Sequence, residues 1–283
     1  MRGNRFSQCL FGMVLPAIIF VTALAASAQT PAQLAPAPTP TPTPSPTPSL
    51  EHEFFKNILR DQKAIWTAPL HLERSDARWM IPSSVGFMAL ATTDRITGDE
   101  IGEANRQNKA SRVISYAGSI YGLAAVAGSF YFVGREKHDD RARETGVLCA
   151  QALVDSVIVE GALKGITQRA RPAGGVERSE FFDGGSSFPS GHATQAWAVA
   201  TVIANEYNDR RAVQIAAYGI ASAVSVARFT GHKHYISDVV AGSALGWGIG
   251  RYVYNAHHRQ TSLVTMQFNR GARQYGVGLT WSF

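Results

Sequence analysis

The stretch "RFTGHKHYISD", Arg228 to Asp238, places an arginine, two histidines and an aspartate within eleven positions. On a helix, side chains four apart share a face. His234 then has Asp238 beside it, whereas His232 has Ile236. A carboxylate bonded to one ring nitrogen fixes the tautomer and raises the basicity of the other nitrogen. His234 is therefore the candidate for chemistry. Arg228 offers a planar fork of donors suited to phosphate-type oxygens. A plain structural reading competes: a buried His–Asp pair tying two segments together.

Two clusters upstream suit the same anion. In "KGITQRARP", Lys164 and Arg171 lie seven apart, two helical turns on one face, and Pro172 forces the chain out of the helix. Alone this is equally a solvated basic helix end favoured by the dipole, and Arg169 fits that reading better still. In "PSGH", Ser190 is a natural N-cap, Gly191 permits close approach of the backbone, and His192 falls in the first turn. The free N–H groups of a helix start form a ready anion site. An ordinary capped helix would look the same.

Jointly the three clusters resemble the signature of the type 2 phosphatidic acid phosphatase superfamily, which also includes bacterial non-specific acid phosphatases and vanadium haloperoxidases. Its motifs K-x6-R-P, P-S-G-H and S-R-x5-H-x3-D read here as Lys164 to Pro172, Pro189 to His192, and Ala227-Arg228 through His234 to Asp238. They occur in order and span about residues 145 to 250. The one departure is Ala227 in place of serine. The resemblance implies an all-α helical bundle and a phosphoric ester hydrolase. In it His234 is the nucleophile, Asp238 its orienting carboxylate, and His192 the group that protonates the leaving oxygen and then activates water. Lys164, Arg171, Ser190, Gly191 and Arg228 hold the phosphate oxygens.

No metal or other cofactor is expected. His232, His234, Asp238 and His192 list plausible zinc ligands, but positions i and i+2 of a helix do not converge, and three nearby cations repel a divalent ion. A vanadate-dependent haloperoxidase on the same cradle, or a non-catalytic envelope protein on the same fold, are the alternatives. The substrate expected is a phosphorylated small molecule or a lipid phosphate, and the loop 173–188, with Phe181 and Phe182, is placed to select between them.

The rest of the chain frames this core. Residues 1–28 read as a signal peptide, with Arg2 and Arg5 before an apolar run and "ASA" before a cut at Gln29; an uncleaved anchor is the rival. Residues 29–49 form a proline-rich spacer. Export to a bacterial periplasm or envelope follows, and membrane-surface contact with it. Cys9 would leave with the signal, so Cys149 has no partner for a disulfide. Losing Arg2 and Arg5, with no acid among the first 28 residues, lowers the net charge from +6 to +4. That mild basicity, without lysine and arginine blocks, speaks against a nucleic-acid partner.

Residues 50–260 read as one helical domain. Phe54, Phe55, Ile58, Leu59, Ile65 and Trp66 form a helical stripe of core type, with a membrane-surface helix as the alternative. A further helix is expected from about Asp140 to Arg169, and others near 211–227 and 238–255. The run 113–134 is uncharged for longer than a bilayer needs. Against a membrane body stand a mean hydropathy of only −0.06 and Asp155, Glu160 and Glu206 in later helices. The tail 261–283 alternates in period two, so a short C-terminal β-hairpin packed on the bundle is expected.

Overall fold

The computed structural model describes residues 50–71, 76–100, 105–172, 180–258, 264–268 and 275–279. Eight α-helices follow one another among them: α1 (Leu50–Thr67), α2 (Ala77–Glu100), α3 (Asn105–Ala117), α4 (Ile120–Lys137), α5 (Asp140–Thr167), α6 (Gly191–Glu206), α7 (Arg211–Thr230) and α8 (Ile236–His257). The signal-peptide and spacer readings lie outside the described residues.

Helix α6, "GHATQAWAVATVIANE", is apolar almost all round, so it has no face to offer solvent and takes the centre. It packs against α5, α7 and α8. The shared core includes Leu148, Cys149 and Ala152 of α5, Val199, Val202 and Ile203 of α6, Val213 and Val224 of α7, and Ile249 and Val253 of α8. Cys149 is fully buried, as a small hydrophobe would be. Along α8, Gly246 and Gly250 sit where a Cβ would press into the Thr194 and Ala198 carbonyl oxygens of α6. The two backbones therefore touch, and that contact sets the start of α8 beside the start of α6.

The uncharged run 113–134 is two helices, not one. Helix α3 stops at Ala117, Ser119 caps α4 by accepting from the Gly122 N–H, and the axes bend by 43°. Helix α5 begins under an Asp139 cap and ends at Thr167, two residues short of the expected Arg169, because Gln168 turns left-handed at φ 44°. The terminal hairpin is present: β1 (Val264–Phe268) pairs antiparallel with β2 (Tyr275–Leu279), Met266 opposite Val277. Its side chains, and so its packing on the bundle, lie outside the described residues.

The core reading of α1 is corrected. Its buried residues are Asn57, Ile58 and Asp61, while Phe55 and Leu59 are 79% and 74% exposed. The helix docks through polar groups: Asp61 accepts from Gln151 at 2.6 Å and from His257 at 2.7 Å, and Gln62 donates to Asp155 at 2.9 Å. The stripe is split: Ile58 is buried and Ile65 packs against the core, while Phe55, Leu59 and Trp66 face out.

Helices α5 and α7 are long and apolar enough to cross a membrane, by length and composition. Ile166, Ile215, Val226, Trp247, Tyr121 and Phe132 point outward from four helices. The acids that argued for a soluble body face inward instead: Asp155 meets Gln62, Glu160 meets Lys164, and Glu206 meets Arg141 and His258. Gly246→Val is expected to cost about 3 kcal/mol by forcing α8 off α6. Gly248→Ala, where nothing lies within 4 Å of the added methyl, is expected to cost nothing. Thermal unfolding of the two variants side by side checks this.

Candidate active site

The site is assembled where α6 and α8 begin and where α5 and α7 end. Ser190 stands at the N-cap position of α6, and its N–H donates to the Asp238 carbonyl at 3.0 Å. The expected side-chain cap is absent. Ser190 Oγ is buried with no hydrogen-bond partner, and Arg228 Nε, near the end of α7, is in the same condition. Both atoms are thus donors left open to a further partner.

His234 is buried and precedes α8, so the helical i, i+4 argument does not apply to it. Its Nδ1 lies 2.7 Å from the Ser187 carbonyl oxygen. A carbonyl only accepts, so Nδ1 carries the proton and Nε2 keeps a free lone pair. Asp238 is 3.8 Å from Nδ1, beyond hydrogen-bond reach, and so does not hold the ring directly as expected. It accepts instead from the Ser187 hydroxyl at 2.5 Å, from the Tyr235 N–H at 3.1 Å and from Arg169 at 2.6 Å. Asp238 thus fixes the residue that fixes the ring. Burial would raise the Asp238 carboxyl, but His234, Arg169 and Ser187 outweigh it and hold it below the usual carboxylate range.

His192 sits half-buried in the first turn of α6. Burial, then the charges of Arg228, His234, Lys164 and Arg171, push it down to about 4. Charges from the first and third motifs thus bear on the histidine of the second. Burial likewise lowers His234, against the pull of Asp238. Both imidazoles are neutral at pH 7. Lys164 lies on the last turn of α5, whereas Arg171 lies beyond the helix, so the two do not share a helix face as the spacing predicted. His232 takes a left-handed φ of 52° at the turn after α7.

Arg169 overturns its sequence reading. It is 1% exposed, donating to Asp238 at 2.6 Å, Asp94 at 2.6 Å and Ser237 at 2.7 Å. The rings of Phe181 and Tyr235 lie against it, their centres 4.7 and 4.5 Å from the guanidinium carbon. Asp94, from α2, also accepts from the Ser237 N–H at 3.1 Å. Neither residue was singled out by sequence. A basic run before "RP" looks solvated, and Asp94 lies 143 positions from Ser237 with no local signal. Phe181 is used up by this packing and by Phe188, 5.6 Å away, while Phe182 is 77% exposed.

A carbonyl-locked histidine, a helix start and the ends of α5 and α7 thus lie together on an all-α scaffold. Residues 145–262 match the model of the PAP2 superfamily, the family that the three motifs resemble. A 70-residue stretch is 37% identical to the lipid A 1-phosphatase of Porphyromonas gingivalis, covering 24% of this chain and 16% of that one, about a sixth of its length. Two solved structures are similar, each 20% identical. The first transmembrane PAP2-type phosphatidylglycerolphosphate phosphatase of Bacillus subtilis has a TM-score of 0.47 over 74% of this chain and 97% of its own. LpxE of Aquifex aeolicus has a TM-score of 0.46 over 58% and 93%.

The low His192 value has a measurable consequence. A bound dianion offsets the cations that depress the histidine, so its affinity for a proton rises. Sulfate, which does not titrate near pH 6, is expected to bind with uptake of a proton at that pH. Calorimetry in two buffers of different ionisation enthalpy measures the uptake; binding with none contradicts the assignment.

Proposed function

We propose that the protein is a phosphatase that hydrolyses the phosphate esters of membrane lipids through a phosphohistidine, without a metal. The observation that carries the reading is the Nδ1 contact of His234 with the Ser187 carbonyl. It leaves Nε2 unprotonated in a buried, neutral ring, the state a nucleophile needs.

In the proposed reaction Nε2 attacks phosphorus, and the bond to the ester oxygen breaks as the histidine–phosphorus bond forms. His192, protonated once the anion is bound, gives its proton to the departing oxygen. It then takes a proton from water, which attacks the phosphohistidine to release phosphate and restore His234. Lys164, Arg171 and Arg228 offset the charge on the equatorial oxygens, with the Ser190 hydroxyl and the Gly191 amide as donors. Phosphoryl transfer needs mainly positioning and charge stabilisation, and three fixed cations supply what a metal supplies elsewhere. Asp238 and Arg169 act through Ser187 and do not touch the phosphate.

A lipid substrate is favoured over a soluble ester by the outward apolar faces of α1, α5 and α7 and by the spanning length of α5 and α7. The names of the relatives point the same way. The signal-peptide and spacer readings place the domain, 50–260, in the cell envelope.

His234→Ala is expected to reduce hydrolysis of a lipid phosphate in detergent at least about a thousandfold with the fold intact. Quenching the wild-type protein during turnover should yield an acid-labile, base-stable phosphoprotein that the variant lacks. Retained turnover in the variant overturns the reading, and vanadate that confers bromide oxidation in place of inhibition favours the peroxidase alternative.

A further inference from the structure

A carboxylate stands among the cations. Glu160, one turn before Lys164 on α5, sets Oε2 2.8 Å from the lysine Nζ. Gln195 Nε2 lies 3.5 Å from its other oxygen. The residue is only 9% exposed. It abuts Gly191 so closely that a Cβ at that position would collide with the carboxylate. Glu160 therefore lies between the Lys164 ammonium and the first residue of α6.

Folding alone does not call for an acid here. Burying a carboxylate carries a desolvation cost beyond the small return of an i, i+4 pair with Lys164. A negative charge so placed also repels phosphate. Its presence makes sense as a limit on how tightly the cradle grips.

We propose that Glu160 is a positioning residue that tunes the anion cradle. It pins the Lys164 ammonium and takes back one of the three positive charges of Lys164, Arg171 and Arg228, so that product phosphate is held loosely enough to leave. The inference deepens the phosphatase reading and rests on it for its purpose. The measurement, binding of inorganic phosphate, needs no turnover.

The test is the dissociation constant of inorganic phosphate, by calorimetry on the full chain in detergent, for wild type and Glu160→Gln. The amide keeps the shape, but the charge is gone. One unit charge a few ångströms away, at the effective dielectric of a protein site, is expected to tighten phosphate binding about tenfold. Turnover falls with it as release slows. Tightening beyond about threefold supports the proposal. A constant within threefold, or a weaker one, overturns it, and a change in melting temperature alone would then mark Glu160 as structural.

Should Glu160→Gln not fold, Glu160→Asp decides. The charge is kept, so the constant should stay within about threefold of wild type, and a larger change in either direction overturns the proposal. Wild-type protein that binds phosphate but hydrolyses no ester contradicts the phosphatase reading and leaves the charge measurement standing. Wild-type protein that binds no phosphate overturns both.

Discussion

The guanidinium of Arg169, sealed between Asp94 and Asp238 with the rings of Phe181 and Tyr235 against it, is the interaction on which the rest of the site depends. It joins α2, the segment after α5, the loop before α6 and the start of α8 at one point. A buried charge without partners is untenable, and removing one member of such a set costs about 3–5 kcal/mol. The arrangement therefore resists losing any of these contacts. Within it Asp238 takes the Ser187 hydroxyl, and the Ser187 carbonyl takes His234 Nδ1. The tautomer of the proposed nucleophile is thus fixed at third hand, by an arginine that never meets the phosphate.

The same economy shows in the packing. Glycines on α8 let its backbone rest on α6, and this brings two helix starts together with the ends of α5 and α7. Each end contributes what its position favours: free N–H groups and Ser190 from α6, Lys164 and Arg228 from the last turns of α5 and α7. The outer surfaces of these helices are apolar while their acids turn inward to partners. An oxyanion site at one end of such a body suits a substrate whose head is charged and whose tail is not.

Much of this was legible in the sequence, because the residues that touch an anion must be of particular types at fixed spacing. The order of the three motifs, the helical body and the β-hairpin follow from pattern alone. The misreadings have physical causes. Arg169 looked solvated because the acids that neutralise it lie at Asp94 and Asp238, far away in sequence. Asp238 looked like the direct partner of His234 because a helix was assumed where α8 has not yet begun, and a backbone carbonyl leaves no mark in a sequence. The helix end at Gln168 carries no glycine to announce its left-handed turn. The stripe on α1 is core only along Ile58 and Ile65, because apolar periodicity does not say how wide the buried face is.

The central claim is that Ser190, His192, Arg228 and His234 surround one oxyanion with His234 Nε2 in line behind it. A crystal structure of the protein with orthovanadate tests this most directly. The account predicts vanadium bonded to His234 Nε2, with its equatorial oxygens on Ser190 Oγ, the Gly191 N–H, Arg228, Lys164 and Arg171, and its apical oxygen toward His192. Vanadate bound elsewhere, or held at this end with no bond to His234, would contradict it.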